Sequence, residues 1–340
     1  VEFLLGYERI SLNNLPSTQT LHAFLRTLPD RKGTKEGCAE GDCGACTVLV
    51  GEPDLKGKLG YRAVNSCILF MATLDGKHVL TIEDLADGDH LHPAQRAMAD
   101  YHGSQCGYCT PGFIMSMAAL HNDTDEPSRE EIDDTLSGNL CRCTGYGPII
   151  EAARHMSDYD DTPAFGEGQD LGQLARQSDQ DLQLTDHDDR FFAPRTAEQL
   201  AQTYAEYPVA TILAGGTDVG LWVTKMDRKL SKIIYLGNVA DLREVSQSAE
   251  SIDIPAAATL EEARPYLVNA YPGLQALMRR FASKPIRNSG TVCGNIANGS
   301  PIGDLPPPLI ALGADIVLRK GDTRRQVKLQ DFFIAYGKQD

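Results

Sequence analysis

The sequence predicts a multidomain α+β protein, and three observations carry that prediction. At 340 residues the chain exceeds what one ordinary core needs and suits two or three domains. Short strand-like runs at the start give way, from about Ile82, to consecutive helical patterns. A strand, glycine turn and helix pattern then begins afresh near Phe191, after a stretch rich in Asp, Gln and Gly. The formal net charge is -15, from 47 acidic and 32 basic residues, so a phosphate backbone is a poor partner and no nucleic acid is expected. No run of eighteen apolar residues occurs and the opening VEFLLGYERI lacks the features of an export signal. A cytoplasmic protein with no membrane partner is therefore expected.

In the first segment, residues 1–81, Leu21, Phe24, Leu25 and Leu28 recur at helical spacing. The run from Cys46 through Val50 reads as a buried strand after a glycine-rich loop. In the second segment, residues 82–156, helices are expected over Leu91 to Tyr101 and Thr110 to His121, the latter with Pro111 in its first turn. A third is marked by the capping box of Ser128 and Glu131, and a fourth is opened by Pro148. Residues 157–190 show little periodicity and read as a linker. The last segment, 191–340, has capping boxes at Thr196 with Gln199 and Thr259 with Glu262, and reads as α/β or α+β.

Nine cysteines are present, and all but Cys293 lie between Cys38 and Cys143 in tight groups. Such clustering suits a metal centre better than disulfides, which staple loops that are spread apart. KEGCAEGDCGACTV places Cys38, Cys43 and Cys46 at C-x4-C-x2-C, with Cys67 as a fourth thiolate from a distant segment. That is the plant-type ferredoxin spacing. Gly37, Gly41 and Gly44 let a loop wrap a cluster with its amides turned to sulfur. Four thiolates would also satisfy zinc, although zinc knuckles usually pair two C-x2-C motifs.

The second group, Cys106 and Cys109 in GSQCGYCTPGF with Cys141 and Cys143 in GNLCRCTGYGPI, precedes two expected helices. Positive helix ends would offset the charge of a thiolate-held cluster. Spacing alone leaves zinc open here. A neighbouring redox centre favours iron-sulfur, because two such centres make an electron path. His22, His78, His102 and His155 are scattered and read as structural.

In the last segment, ILAGGTDVGLWVTK sets Gly215 and Gly216 between a strand and a helix. Taken alone that is most simply a tight turn, and it is not the G-x-G-x-x-G of a dinucleotide fold. A second stretch, RNSGTVCGNIANGSPIGDLPPPLIALGA, carries Gly290, Gly294, Gly299 and Gly303 among Thr291, Asn295, Asn298 and Ser300. It reads as a loop folded around a polar cofactor.

EGCAEGDCGACTV, HGSQCGYCTPGFIMSM and GNLCRCTGYGPI together resemble the iron-sulfur part of the molybdenum hydroxylases, the xanthine dehydrogenase and aldehyde oxidase family, over about residues 1–156. The resemblance implies a β-grasp ferredoxin domain and a four-helix domain with one 2Fe-2S cluster each. The last segment is similar to that family's α/β FAD-binding domain. By that match Leu213, Ala214, Gly215, Gly216, Thr217, Asp218, Val219, Thr291, Gly294, Asn295 and Asp304 are expected at the flavin, with Phe281 beside its adenine end. Cys293 stands where the family has the first glycine of a pair, and a lone cysteine of this kind is expected to turn into the core. Gly337 stands where an arginine is expected, and LLGY replaces a leucine-asparagine-glycine turn.

The fused order of domains is most similar to the small subunit of the bacterial xanthine dehydrogenases. It implies a molybdopterin-binding large subunit as partner, in a heterotetramer of two such pairs, with the flavin domain incomplete at its C-terminal end. Electrons from molybdenum would pass through the helical-domain cluster and the ferredoxin cluster to FAD, then to NAD. The alternatives are a related aldehyde or carbon monoxide dehydrogenase subunit, and a zinc-stabilised scaffold protein without activity.

Overall fold

The computed structural model describes residues 1–53, 59–159, 165, 182–186, 188–335 and 338–339. They form two compact units. The first comprises Val1–Gln180, Thr217–Lys229 and Ala282–Asn288, and the second Asp181–Gly216, Leu230–Phe281 and Ser289–Asp340. Gly337 lies outside the described residues, as do 160–164, 166–181 and 187 of the expected linker.

In the first unit, strands β1 (Glu2–Leu5), β2 (Glu8–Ser11), β3 (Thr47–Pro53), β4 (Leu59–Asn65) and β5 (His78–Leu80) form one sheet in the order β2-β1-β5-β3-β4. Only the β1/β5 pair is parallel. Strand β3 is buried from Thr47 to Gly51, as the unbroken apolar run requires of a central strand. Helix α1 (Leu21–Leu25) is capped by Thr20 and ends earlier than the Leu21 to Leu28 spacing implies. The Thr27 amide already closes a tighter turn onto Phe24, and Pro29 bars continuation.

Four helices follow: α2 (Pro93–Asp100), α3 (Thr110–Asp123), α4 (Arg129–Leu136) and α5 (Gly147–His155). Every residue of α3 from Gly112 to Leu120 is buried, the mark of a helix surrounded by its neighbours. The Ser128 and Glu131 capping box opens α4 as expected. Among the described residues no helix is long and apolar enough to cross a membrane.

The second unit is built on strands β6 (Leu182–Asp186), β7 (Asp189–Ala193), β8 (Thr211–Leu213) and β9 (Lys232–Tyr235), in the order β6-β7-β9-β8. The sheet therefore begins inside the stretch expected to be linker, and before Phe191. Asp and Gln obscured a hairpin in which Leu184 faces Phe191 across the pair. Both expected capping boxes form, at Thr196 with Gln199 and Thr259 with Glu262. The glycine-rich stretch expected as a loop contains two short helices, Val292–Ala297 and Pro306–Ala311. Val292, Ile296 and Leu309 pack into a core with Leu260, Leu267 and Met278, and that burial draws the chain into helical turns.

One buried histidine makes the fold sensitive to acid. His92 caps α2 through Nδ1, which accepts from the Ala94 amide at 3.1 Å. Its ring stacks on Phe165 and meets His121 edge-on. Burial, with the nearby His121, lowers it from the ordinary 6.5 to about 4. Between those values the unfolded chain binds a proton that the folded one refuses. Stability is therefore full above pH 6.5 and falls as pH drops towards 4, by on the order of 3 kcal/mol. His92→Asn keeps a cap acceptor and removes the titration. Its denaturant midpoint is expected to change less with pH across this window than that of the parent, and an identical pH profile would show that another group governs it.

Candidate functional site

Each cysteine group lies where a strand or helix end fixes it. In the first unit, the loop of residues 37–46 leads into β3, and Cys67 follows β4. Cys46 and Cys67 meet with their sulfurs 3.2 Å apart and fully buried. The hydrogen bond between them draws Cys46 below the usual thiol range and pushes Cys67 above it. Cys43 faces Cys38 on the half-buried side of the same loop. Backbone amides converge on these sulfurs. Glu40 N and Cys43 N point at Cys38 Sγ, at 3.5 and 3.4 Å, and Gly41 bonds to Cys67.

The second group has the same plan. Cys109 caps the N-terminus of α3 and faces Cys141. Cys143 faces Cys106, and both are exposed. Helix α5 begins at Gly147, after Tyr146 in a left-handed conformation at φ 67. That turn brings the Tyr146 hydroxyl to accept from the Cys141 amide at 3.0 Å. Among the described residues no three His, Cys, Asp or Glu side chains converge on one point as around a single ion. The sulfurs instead stand two and two in each group, an outer pair and an inner pair, and a binuclear iron core uses its four thiolates in that way.

A buried polar joint connects the groups. The Leu140 amide donates to the Cys43 carbonyl at 3.0 Å, so the residue before Cys141 is bonded to a residue of the other group. Asn139 is only 2 % exposed. It donates to the Gly44 carbonyl at 3.1 Å and to Thr47 Oγ1 at 3.4 Å, and accepts from Ser116 Oγ at 2.7 Å. Gly44 sits at φ +67, where a Cβ would lie 2.3 Å from the Gly138 carbonyl oxygen. Glycine is thus needed there for the backbones to meet, besides turning amides to sulfur. The cysteine spacing gave no sign of Asn139, although its place two residues before Cys141 was a usable signal.

Of the positions expected at a flavin, the second unit holds Leu213 to Gly216, Phe281, Thr291, Gly294, Asn295 and Asp304. Thr217, Asp218 and Val219 belong to the first unit, where the helix Val219–Thr224 begins. A Cβ on Gly215 would lie 1.9 Å from the Ser289 carbonyl oxygen and 2.7 Å from Gly290 Cα. Gly215 therefore lets the two glycine-rich segments pass in contact. Gly216 sits at φ 72 and directs the turn. Ala214 Cβ comes within 3.9 Å of where a Cβ on Gly294 would be.

Two expectations are modified. The Gly294 amide donates to Thr291 Oγ1 at 2.9 Å, as the N-cap of Val292–Ala297, so it is not a free donor for a phosphate in this conformation. Phe281 packs at the edge of the second unit's core. Cys293 turns inward as expected. Its Sγ donates to the Ile254 carbonyl at 3.5 Å, and burial pushes the thiol up to about 11. Asn295 Oδ1 is buried without a hydrogen-bond partner and looks toward Gly303, whose Cβ would sit 3.7 Å away. An orphaned buried acceptor beside paired glycine segments fits a hydroxyl-bearing ligand chain.

Residues 81–154 match the family described as 2Fe-2S binding domain. Residues 185–340 match the FAD binding domain in molybdopterin dehydrogenase. Xanthine dehydrogenase of Blastobotrys adeninivorans is 28% identical, over 96% of this chain and 30% of its own length. Xanthine dehydrogenase 1 of Arabidopsis thaliana is 33% identical, over 98% of this chain and 30% of its own length. The chain thus spans about three tenths of the length of these curated relatives. Among solved structures, quinoline 2-oxidoreductase from Pseudomonas putida 86 matches with a TM-score of 0.38 and 28% identity, over 53% of this chain and 97% of that chain.

The Gly215 contact gives a direct test of the flavin positions. Gly215→Ala is expected to wedge the two segments apart and weaken flavin retention by about tenfold or more, as overpacking of about 1–3 kcal/mol implies. Iron content should stay at the parent value. Acid extraction reads both, and an unchanged flavin-to-iron ratio would remove the second unit's segments from the flavin site.

Proposed function

Because the chain belongs to the molybdenum hydroxylase family, with that family's 2Fe-2S and FAD-binding domains, we propose that it is the electron-transfer part of a xanthine dehydrogenase. In this reading residues 1–81 hold one cluster through Cys38, Cys43, Cys46 and Cys67. Residues 82–156 hold the other through Cys106, Cys109, Cys141 and Cys143. Residues 191–340, extended back to the hairpin that starts at Leu182, take FAD. Electrons come from a molybdopterin-bearing partner subunit, in a heterotetramer of two such pairs, and leave to NAD. Thiolates kept free for iron need a reducing compartment, which favours the cytoplasm.

The observation that carries this reading is the two-and-two pairing of the sulfurs, with the Leu140 to Cys43 hydrogen bond between the groups. When bound, the clusters and flavin supply one-electron and two-electron carriers. The chain's residues hold them in order and keep water from the inner pairs. The α3 N-terminus at Cys109 and the amides around Cys38 offset negative charge. Asn139 keeps the joint between the groups closed.

The outer pair of the second group favours entry on that side. Tyr108 is 48% exposed, Leu140 54% and Tyr146 36%, and these large exposed side chains, near in sequence to exposed Cys106 and Cys143, suit a partner surface. Leu140→Asp is expected to weaken co-elution with the large subunit at least about tenfold while both clusters remain, since a buried charge at an interface is costly. Undiminished co-elution would move the partner elsewhere.

The reading itself is tested by composition and magnetic resonance. The chain should carry about four irons and about one flavin, and its reduced form should show two distinct paramagnetic signals. Cys43→Ser should abolish one signal and Cys106→Ser the other. A colourless protein carrying zinc, or a single cysteine change that erased both signals in a folded chain, would refute it.

A further inference from the structure

The inner pair of the first group is covered by residues from far along the chain. Cys46, Cys67 and Ile68 form a buried apolar cluster, and Leu221 and Ile286 pack against it. Both lie beyond residue 185, within the flavin-binding match, yet their segments, Thr217–Lys229 and Ala282–Asn288, belong to the first unit. Neither segment is attached loosely. A Cβ on Gly220 would sit 2.8 Å from the Ile68 carbonyl oxygen, so glycine permits the helix Val219–Thr224 to touch the backbone beside Cys67. Thr224 Oγ1 donates to the Ala39 carbonyl at 2.7 Å, inside the cysteine loop itself, and Lys225 pairs with Glu40 at 3.5 Å.

The other segment is held by charge. Arg287 is 0% exposed and grips both oxygens of Asp134 on α4, at 2.8 and 2.7 Å. The adjacent Asn288 donates to the Ala63 carbonyl on β4 at 2.9 Å. A buried, doubly bonded ion pair fixes geometry better than it adds stability. Here it holds Ile286, whose Cδ1 would lie 2.9 Å from a Cβ on Gly41, in the loop between Cys38 and Cys43.

We propose that Leu221 and Ile286 are positioning residues for the first cluster, a cover supplied by the flavin-binding half that keeps the Cys46/Cys67 edge dry and so holds the cluster's reduction potential low. The inference rests on the iron-sulfur reading above. One-electron reduction breaks no bond and adds one negative charge to a centre already negative from its thiolates and sulfides. Water stabilises the more charged form, and an apolar cover denies it that water. Polar or missing cover must therefore raise the potential. The second cluster, whose outer Cys106 and Cys143 are exposed, has no part in this cover and serves as the internal reference.

The test is a redox titration of the full chain with its flavin, following both paramagnetic signals. In Leu221→Asn and in Ile286→Ala the signal that Cys43→Ser removes should shift to a higher midpoint, while the signal that Cys106→Ser removes keeps its midpoint. Leu221→Ile should titrate like the parent. Selective loss of the first cluster from both variants, with the second intact, would report the same admission of water. The inference is overturned if both clusters are retained and the first midpoint stays in place, if both midpoints move together, or if both clusters are lost together. The parent protein separates the two levels of argument: absence of two signals there defeats the iron-sulfur reading, whereas failure confined to the variants defeats only the cover.

Discussion

The meeting of Gly44 with Asn139 is the constraint on which the arrangement of the first unit depends. Two loops that carry thiolates must approach without side chains between them, and their backbone groups must still be satisfied. Gly44 solves the first problem by lacking a Cβ where the Gly138 carbonyl passes, and Gly112 does so on α3, where a Cβ would lie 2.1 Å from the Gly44 oxygen. Asn139 solves the second. Its amide covers the Gly44 carbonyl and Thr47, and its own oxygen is satisfied by Ser116. Buried polar networks of this kind specify one docking geometry because any slip leaves several groups unpaired at once. The Leu140 to Cys43 bond is a product of that geometry rather than its cause.

Around this joint the sulfur pairs differ in burial. The pair Cys106/Cys143 is exposed, and the inner pair Cys109/Cys141 connects to the joint through Leu140. Cys43 receives that bond, and Cys46/Cys67 lies behind, in the driest position of the four pairs. Cys106 and Cys143 are exposed, Cys38, Cys43 and Cys109 are half-buried, and Cys46, Cys67 and Cys141 are buried.

Much of this was legible in the sequence, for reasons that are local. Cysteine spacing reports ligands because a loop of a few residues has few ways to bring thiolates together. Capping boxes at Ser128, Thr196 and Thr259 report helix starts because both partners lie within one turn. What was not legible depends on distant partners. The pairing of sulfurs crosses from residue 46 to 67 and from 109 to 141. The β6 strand was hidden because Gln183 and Thr185 occupy the face that Leu182 and Leu184 do not, and only pairing with Phe191 and Ala193 reveals its register. Thr291 and Gly294 were both expected at the flavin, but their cap bond gives Gly294 a different task from the one expected.

The least legible feature is the allocation of residues 217–229 and 282–288 to the first unit, since nothing in TDVGLWVTK or ASKPIRN announces it. Physical chemistry explains why it is tolerated. A buried arginine such as Arg287 would be severely destabilising alone, and it is acceptable because its Nη2 reaches both oxygens of Asp134 and its Nη1 bonds to the Ala282 carbonyl. An apolar pair of similar volume could pack as well but would not fix the segment's register. The ion pair therefore argues that placement of Ile286, and not stability, was the property under constraint. Gly220 argues likewise for Leu221, because a glycine inside a helix lowers its stability by about 1 kcal/mol relative to alanine and gains only the contact with Ile68 in return. Two locally unfavourable choices converge on the same edge of the same cysteine pair, and position is the one thing they have in common.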